Sequence, residues 1–217
     1  MNIEKLLYLP LDLPAPSREI IEELDKIPYE EMSVDHYRTC HHIPITRGNK
    51  RSMKYNWVPL TEHLISLHDY LEEHIFSWSQ RARVVIITTK PGDLNAPHID
   101  CSPENFNTLQ HKFRYVLQGN VSDLEFITKE KNLRVHEVDQ PFIISGKWPH
   151  SMLNTTNKRK YTLALGSPWE PTLADEKYIL LLKKSYDKFK NYYISVDNLN
   201  LPNNYENLYE EKYKIND

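Results

Sequence analysis

Residues 82–100 read ARVVIITTKPGDLNAPHID, and this stretch decides how the chain folds. Its first half is dense in β-branched residues and reads as a strand. Pro91-Gly92 is a turn signal, and Pro97 pushes the residue before it into extended backbone. The chain is therefore expected to turn and run on extended through His98 and Asp100. In extended backbone, residues two apart point the same way. His98 and Asp100 then share one face while Ile99 packs on the other. With ten histidines in the chain, a His-X-Asp pair arises easily by chance. What stands around it has to decide whether it is part of a metal site.

Downstream the period of two persists. FRYVLQG (113–119), DLEFIT (123–128), LRVHEV (133–138), PFIIS (141–145), HSMLN (150–154) and KYTLALG (160–166) are short β-prone runs parted by Pro, Gly, Asn and Asp. No helical pattern separates them, so a doubly wound α/β sheet is excluded. The expected fold is mainly β with flanking helices, built on a sandwich, jelly roll or cupin-like barrel.

The flanks are helical in part. In PSREIIEELDKIP (16–28), Ser17 is placed to cap a short helix whose stripe is Ile20, Leu24 and Ile27, with Pro28 ending it. PLTEHLISLHDYLEEHIFSW (59–78) repeats Leu60, Leu64, Leu67, Leu71 and Ile75 at threes and fours, a second helix. DHYRTCHHIPI (35–45) is richer in strand formers. Near the C-terminus, Thr172 and Asp175 fit a capping box ahead of the stripe Ile179, Leu182, Tyr186, Phe189 and Tyr193. The 217 residues are read as one domain: a mixed extension over 1–80, a β core over 82–171, and a helix and polar tail over 172–217.

Composition narrows the function. A net charge of -3 disfavours a large nucleic-acid surface. Five glycines and no GxGxxG or GxxxxGK[ST] argue against a phosphate cradle. Cys40 and Cys101 fit neither a zinc knuckle nor a disulfide framework. There is no apolar run of membrane length and no signal-peptide pattern at the N-terminus, so a cytoplasmic protein is expected.

A third ligand follows the HxD. PFIISGKWPHSMLN gives a strand, a glycine turn and then His150, again directly after proline. Two histidines and one carboxylate form the facial triad of a non-haem Fe(II) centre, which leaves adjacent coordination positions open. His111 and His136 lack a carboxylate at short spacing. His41 and His42 would point to opposite faces of a strand. Lys160 lies ten positions beyond His150, with Thr162 on the same face. Either is suited to a carboxylate of a keto acid chelated at the metal. Lys158 and Arg159 read as a basic surface turn.

These residues resemble the Fe(II)/2-oxoglutarate-dependent oxygenases, in the order His98, Asp100, His150, Lys160, Thr162. TTKPGDLNAPHID, KFRYVLQG and SPWEP are similar to the aspartyl/asparaginyl β-hydroxylase-like branch; a prolyl-hydroxylase-like branch is the other candidate. The likeness covers about residues 82–171. It implies a double-stranded β-helix, Fe(II), 2-oxoglutarate and dioxygen, and a hydroxylated product with release of succinate and CO2. It also implies a cosubstrate anchor at Lys160, or at Arg114 if the β-hydroxylase-like arrangement holds. Members of that branch often lack the carboxylate after the first histidine. Asp100 thus implies a full triad and disfavours halogenation, which needs an open position for halide. The stretch CSPENFNTLQH (101–111) has no counterpart there and reads as a lid beside the site. The substrate is a protein side chain, an amino acid or a small metabolite. Trp57, Trp148 and Trp169 are readable as its cleft or as core. Two rival readings stand beside this one. The first is a cupin-like metal-dependent hydrolase or isomerase, for which Glu104 is the only acid near in sequence. The second is a non-catalytic β-barrel interaction module.

Overall fold

The period-two runs become strands of two sheets with a cavity between them. The computed structural model describes residues 1–28, 34–35, 40–49, 54–61, 63–77, 82–165 and 175–205. Its strands are β1 (Leu6–Pro10), β2 (Val34–Asp35), β3 (Cys40–Pro44), β4 (Thr46–Asn49), β5 (Lys54–Trp57), β6 (Val84–Thr89) and β7 (Leu94–His98). They continue as β8 (His111–Gln118), β9 (Leu124–Phe126), β10 (Leu133–Arg134), β11 (Phe142–Ser145), β12 (His150–Leu153), β13 (Lys160–Leu165) and β14 (Ile194–Ser195). The α-helices are α1 (Ile20–Leu24), α2 (Ile65–His74) and α3 (Glu176–Phe189).

The larger sheet has the order β14-β1-β11-β8-β13-β6-β3-β2 and the smaller one β10-β9-β12-β7, while β4 and β5 form a separate hairpin. Along the chain, β6, β8, β11 and β13 belong to the larger sheet, and β7, β9, β10 and β12 to the smaller. Every pairing is antiparallel. Strands that alternate between two facing sheets in this order make a double-stranded β-helix, the jelly roll.

The period of two distributes the core. Ile86, Phe113, Tyr115, Leu117, Tyr161, Leu163 and Leu165 join Leu67, Leu71, Tyr178 and Leu182 of the helices in one cluster. The alternate residues Val116, Phe142 and Ile144 join Leu124 and Phe126 of the smaller sheet in a second. With both faces covered, β6 and β13 are buried at all six positions, including the polar Thr88, Thr89, Lys160 and Thr162.

Several flanking elements differ from the sequence reading. The N-terminal apolar run is a fully buried strand, β1, hydrogen-bonded between β11 and β14. Its partners lie more than a hundred residues away, so local pattern gives no sign of them. The first helix is a single turn capped at Glu19 rather than Ser17, whose hydroxyl accepts from the Glu19 amide at 3.3 Å. β10 stops at Arg134. Glu137 beyond it turns away, and its carboxylate accepts from the Val121 and Ser122 amides at 2.9 and 2.8 Å. In α3, Asp175 caps through its side chain, which accepts from the Tyr178 amide at 3.2 Å. Tyr178, Leu182 and Ser185 form its most buried line, with Ile179, Tyr186 and Phe189 at the margin. Thr172, SPWEP and Trp169 lie outside the described residues. Among the described residues, no helix is long and apolar enough to cross a membrane.

One polar contact ties α3 to the barrel. Nδ1 of His111, at the start of β8, lies 2.6 Å from the Tyr178 hydroxyl, and both side chains are buried. Burial pushes the His111 imidazole down to about 3 from 6.5. Between these values the unfolded chain takes up a proton that the folded one refuses, so stability falls as pH drops from about 6.5 toward 3. The expected slope is up to about 1.4 kcal/mol per pH unit from this group. Urea denaturation across that range checks it: the slope should be smaller in His111→Gln.

Candidate metal centre

β7 and β12 are neighbours in the smaller sheet, and their register sets His98 opposite His150. The two imidazoles lie side by side with ring centroids 4.4 Å apart. Asp100 follows β7 in a bend held by its amide, which donates to the Gly146 carbonyl at 2.7 Å. The ligand atoms of His98, Asp100 and His150 all lie within 4.8 Å of one another, among the described residues the one such group able to hold a metal ion.

The backbone fixes how the histidines present themselves. Nδ1 of His98 lies 2.7 Å from the Ala96 carbonyl, and Nδ1 of His150 lies 2.8 Å from the Trp148 carbonyl. A carbonyl only accepts, so each Nδ1 carries a proton, and Nε2 is the nitrogen each ring has left to offer a metal. Nε2 of His98 is 3.5 Å from Asp100 Oδ1, and Nε2 of His150 is 3.7 Å from Asp100 Oδ2. Two imidazole lone pairs thus converge with one carboxylate, each imidazole oriented by a hydrogen bond on its far side, as ligating histidines are. This donor set fits a divalent non-haem metal of the iron type.

Gly146 is required by close approach. A Cβ there would sit 2.9 Å from the Asp100 Cβ and 3.2 Å from Lys112 Cε. The turn between β11 and β12 therefore packs against the Asp100 side chain at its Cβ and, through the Gly146 carbonyl, helps position it.

The cavity beside the triad is lined by both sheets. Ile87, Arg114, Val116 and Thr162 come from the larger sheet, and Asn95, His98, His150 and Met152 from the smaller. Arg114 donates through Nη1 to the Phe113 and Leu165 carbonyls at 2.8 and 3.1 Å, and its Nη2 reaches Asp100 Oδ2 at 3.3 Å. Thr162 faces the cavity with its hydroxyl oxygen buried and without a hydrogen-bond partner.

Lys160 is differently placed. Its side chain is fully buried, and its Nζ donates to Asp123 Oδ2 at 2.9 Å and to the Asn120 carbonyl. Asp123 also accepts from the Thr155 hydroxyl at 2.5 Å. Burial pushes the Lys160 ammonium below its usual range, against the pull of Asp123. Lys160 does not line the cavity, whereas Arg114 and Thr162 do.

Asn95 also lines the cavity, and the sequence reading did not find it. It stands three residues before His98, so a plain period of two assigns it to the other face. The pairing shifts by one residue here: His98 to Asn95 spans three steps on β7 while His150 to Met152 spans two on β12. That bulge turns Asn95 and His98 inward together. The stretch 101–111 contains a 3-10 turn at Pro103–Asn105. Phe106 stacks on Tyr205 at 6.3 Å, and Tyr205 in turn lies 5.6 Å from Trp148. Trp57 stacks on His68 at 4.1 Å and packs, partly buried, against the core.

No family model and no curated protein matches this chain. Solved structures do. A prolyl-4-hydroxylase from Pseudomonas putida is 15% identical over 74% of this chain and 90% of its own, with a TM-score of 0.46. A 2OG-Fe(II) oxygenase family oxidoreductase from Burkholderia pseudomallei is 10% identical over 71% and 80%, with a TM-score of 0.44. The CENP-C cupin domain of Drosophila melanogaster is 16% identical over 39% and 59%, with a TM-score of 0.29. The chain carries the His-X-Asp…His set, and its functional reading rests on the residues of the site.

A test of the centre follows from Gly146. Gly146→Ala should displace Asp100 and weaken Co(II) binding by about tenfold or more, as loss of a ligand's support commonly does. Calorimetric metal titration beside a far-ultraviolet circular dichroism spectrum checks it. Unchanged affinity in the folded variant would show that Asp100 is not a ligand.

Proposed function

We propose that this protein is an Fe(II)- and 2-oxoglutarate-dependent dioxygenase that hydroxylates a protein side chain, an amino acid or a small metabolite. The carrying observation is the convergence of two Nε2 lone pairs and the Asp100 carboxylate on one wall of a buried cavity that also holds a guanidinium. His98, Asp100 and His150 would hold the iron. Bound iron with 2-oxoglutarate supplies dioxygen activation and hydroxylation of a C–H bond, with release of succinate and CO2.

The chain's own residues orient and shield that chemistry. Asp100 offsets part of the metal's charge. The two Nδ1 atoms are held by backbone carbonyls, which turns Nε2 of each imidazole toward the metal position. Arg114 is anchored by two carbonyls and directs its Nη2 toward the site, which suits it to receive a carboxylate of the cosubstrate. The Thr162 hydroxyl adds a hydrogen-bond donor. Ile87, Val116, Leu124, Ile144 and Met152 supply apolar walls that exclude water.

Of the two candidate anchors, Arg114 is favoured, because the Lys160 ammonium is engaged by Asp123. A Lewis-acid hydrolase or isomerase would need a general base beside the triad. Among the described residues lining the cavity, Asp100 is the only carboxylate, and Glu104 is not in the lining.

The decisive assay is anaerobic loading with Fe(II), then exposure to air with 2-oxoglutarate. Wild-type protein should release succinate, slowly without a substrate, and Asp100→Ala should not. Succinate release persisting in Asp100→Ala would sink the assignment. The anchors separate in a second measurement. Arg114→Met should weaken 2-oxoglutarate binding about tenfold or more and largely spare metal binding. Lys160→Met strands the buried Asp123, and should cost about 3–5 kcal/mol of stability in urea denaturation.

A further inference from the structure

Two polar atoms in the cavity wall are buried and have no hydrogen-bond partner, the Asn95 Oδ1 and the Thr162 Oγ1. Asn95 is 7% exposed and Thr162 3%. They stand on opposite sheets, Asn95 on β7 and Thr162 on β13, and both line the cavity of the triad. Thr162 has its part in the reading above, and Asn95 has none.

A buried amide oxygen without a partner destabilises the fold. This one is buried by a specific device. The extra residue of β7 between Asn95 and His98 turns both inward; in plain register Asn95 would face away from the cavity. Around it the wall is mostly apolar, with Val121, Leu124 and Met152 among the lining. An amide in such a wall offers a directed donor and acceptor to whatever enters.

We infer that Asn95 is a ligand-binding residue of this site: its amide hydrogen-bonds to the oxo-diacid cosubstrate beside the metal. The inference rests on the oxygenase reading and adds a contact from the smaller sheet to those of Arg114 and Thr162 on the larger. A half-turn about the last side-chain bond exchanges the amide's oxygen and NH2. Asn95 can therefore present NH2 to an oxygen that only accepts, as every oxygen of 2-oxoglutarate does at neutral pH.

Because the unbound amide is a burden to the fold, its removal has a signature that a structural residue would not give. Asn95→Leu, close in shape, should melt at the wild-type temperature or above it in metal-free protein. Asn95→Ala leaves more room in the cavity, so any loss of binding in it is not steric. Calorimetry should show Co(II) affinity within about twofold of wild type in both variants, and 2-oxoglutarate affinity for the Co(II)-loaded protein about tenfold weaker in both. Unchanged 2-oxoglutarate affinity in both variants overturns this assignment alone. So does a melting temperature of metal-free Asn95→Leu well below wild type, which would make the amide structural. Wild-type protein that binds Co(II) but not 2-oxoglutarate overturns the oxygenase reading, and this assignment with it.

Discussion

The register of β7 against β12 is the constraint on which the site depends. It sets His98 opposite His150, and every other ligand feature is arranged around that pair. Side chains alternate across a strand, so a slip of one residue would turn an imidazole out of the cavity. The bulge between Asn95 and His98 brings Asn95 round to the cavity. Next to it, the β11–β12 turn holds Asp100 through the Gly146 carbonyl and leaves no room for a side chain at Gly146. The strand pairing, the turn and the carbonyls behind both histidines together pre-form a ligand set before any ion arrives.

Charge inside the barrel follows a second constraint. Buried charges persist only when paired. Asp100 has Arg114 beside it, and Lys160 has Asp123 and a carbonyl. The pairs differ in consequence. Lys160 is closed off from the cavity and ties the start of β13 to the 3-10 turn at Val121–Asp123, a link between the sheets. Arg114 stays in the cavity wall, within reach of whatever the metal holds. Two cations that look interchangeable along the chain therefore have different surroundings, and the position of one carboxylate, Asp123, makes the difference.

Much of this was legible in the residues. Val84–Thr89, Phe142–Ser145 and Lys160–Leu165 announce strands through their β-branched, aromatic and apolar residues, and all three are buried throughout. Leu64, Leu67, Leu71 and Ile75 announce α2, and all four are buried. Asp175, read as the far residue of a capping box from Thr172, is itself the cap of α3. The spacing of His98 and Asp100, with His150 after a second strand and turn, drew attention to the three residues that the fold brings together. Ser17 shows the limit of local reading: its hydroxyl accepts from the Glu19 amide, and the helix begins two residues later than the cap signal suggests.

The sequence by itself determined most strands of the core, the mainly-β class and the candidate ligands, because these rest on local periodicity and on residue chemistry at short spacing. Tertiary structure decided which groups meet across the barrel. β1 entered the larger sheet because Tyr8 pairs with Ile144, a contact with no local signature. Asp123 claimed Lys160 from 37 residues away, and Arg114 was left facing the triad. Asn95 came to the cavity because one strand carries an extra residue that only its partner strand makes visible. Pairing partners and registers are relations between distant segments, set by how two sheets close over a shared interior, and no single stretch of the chain contains them.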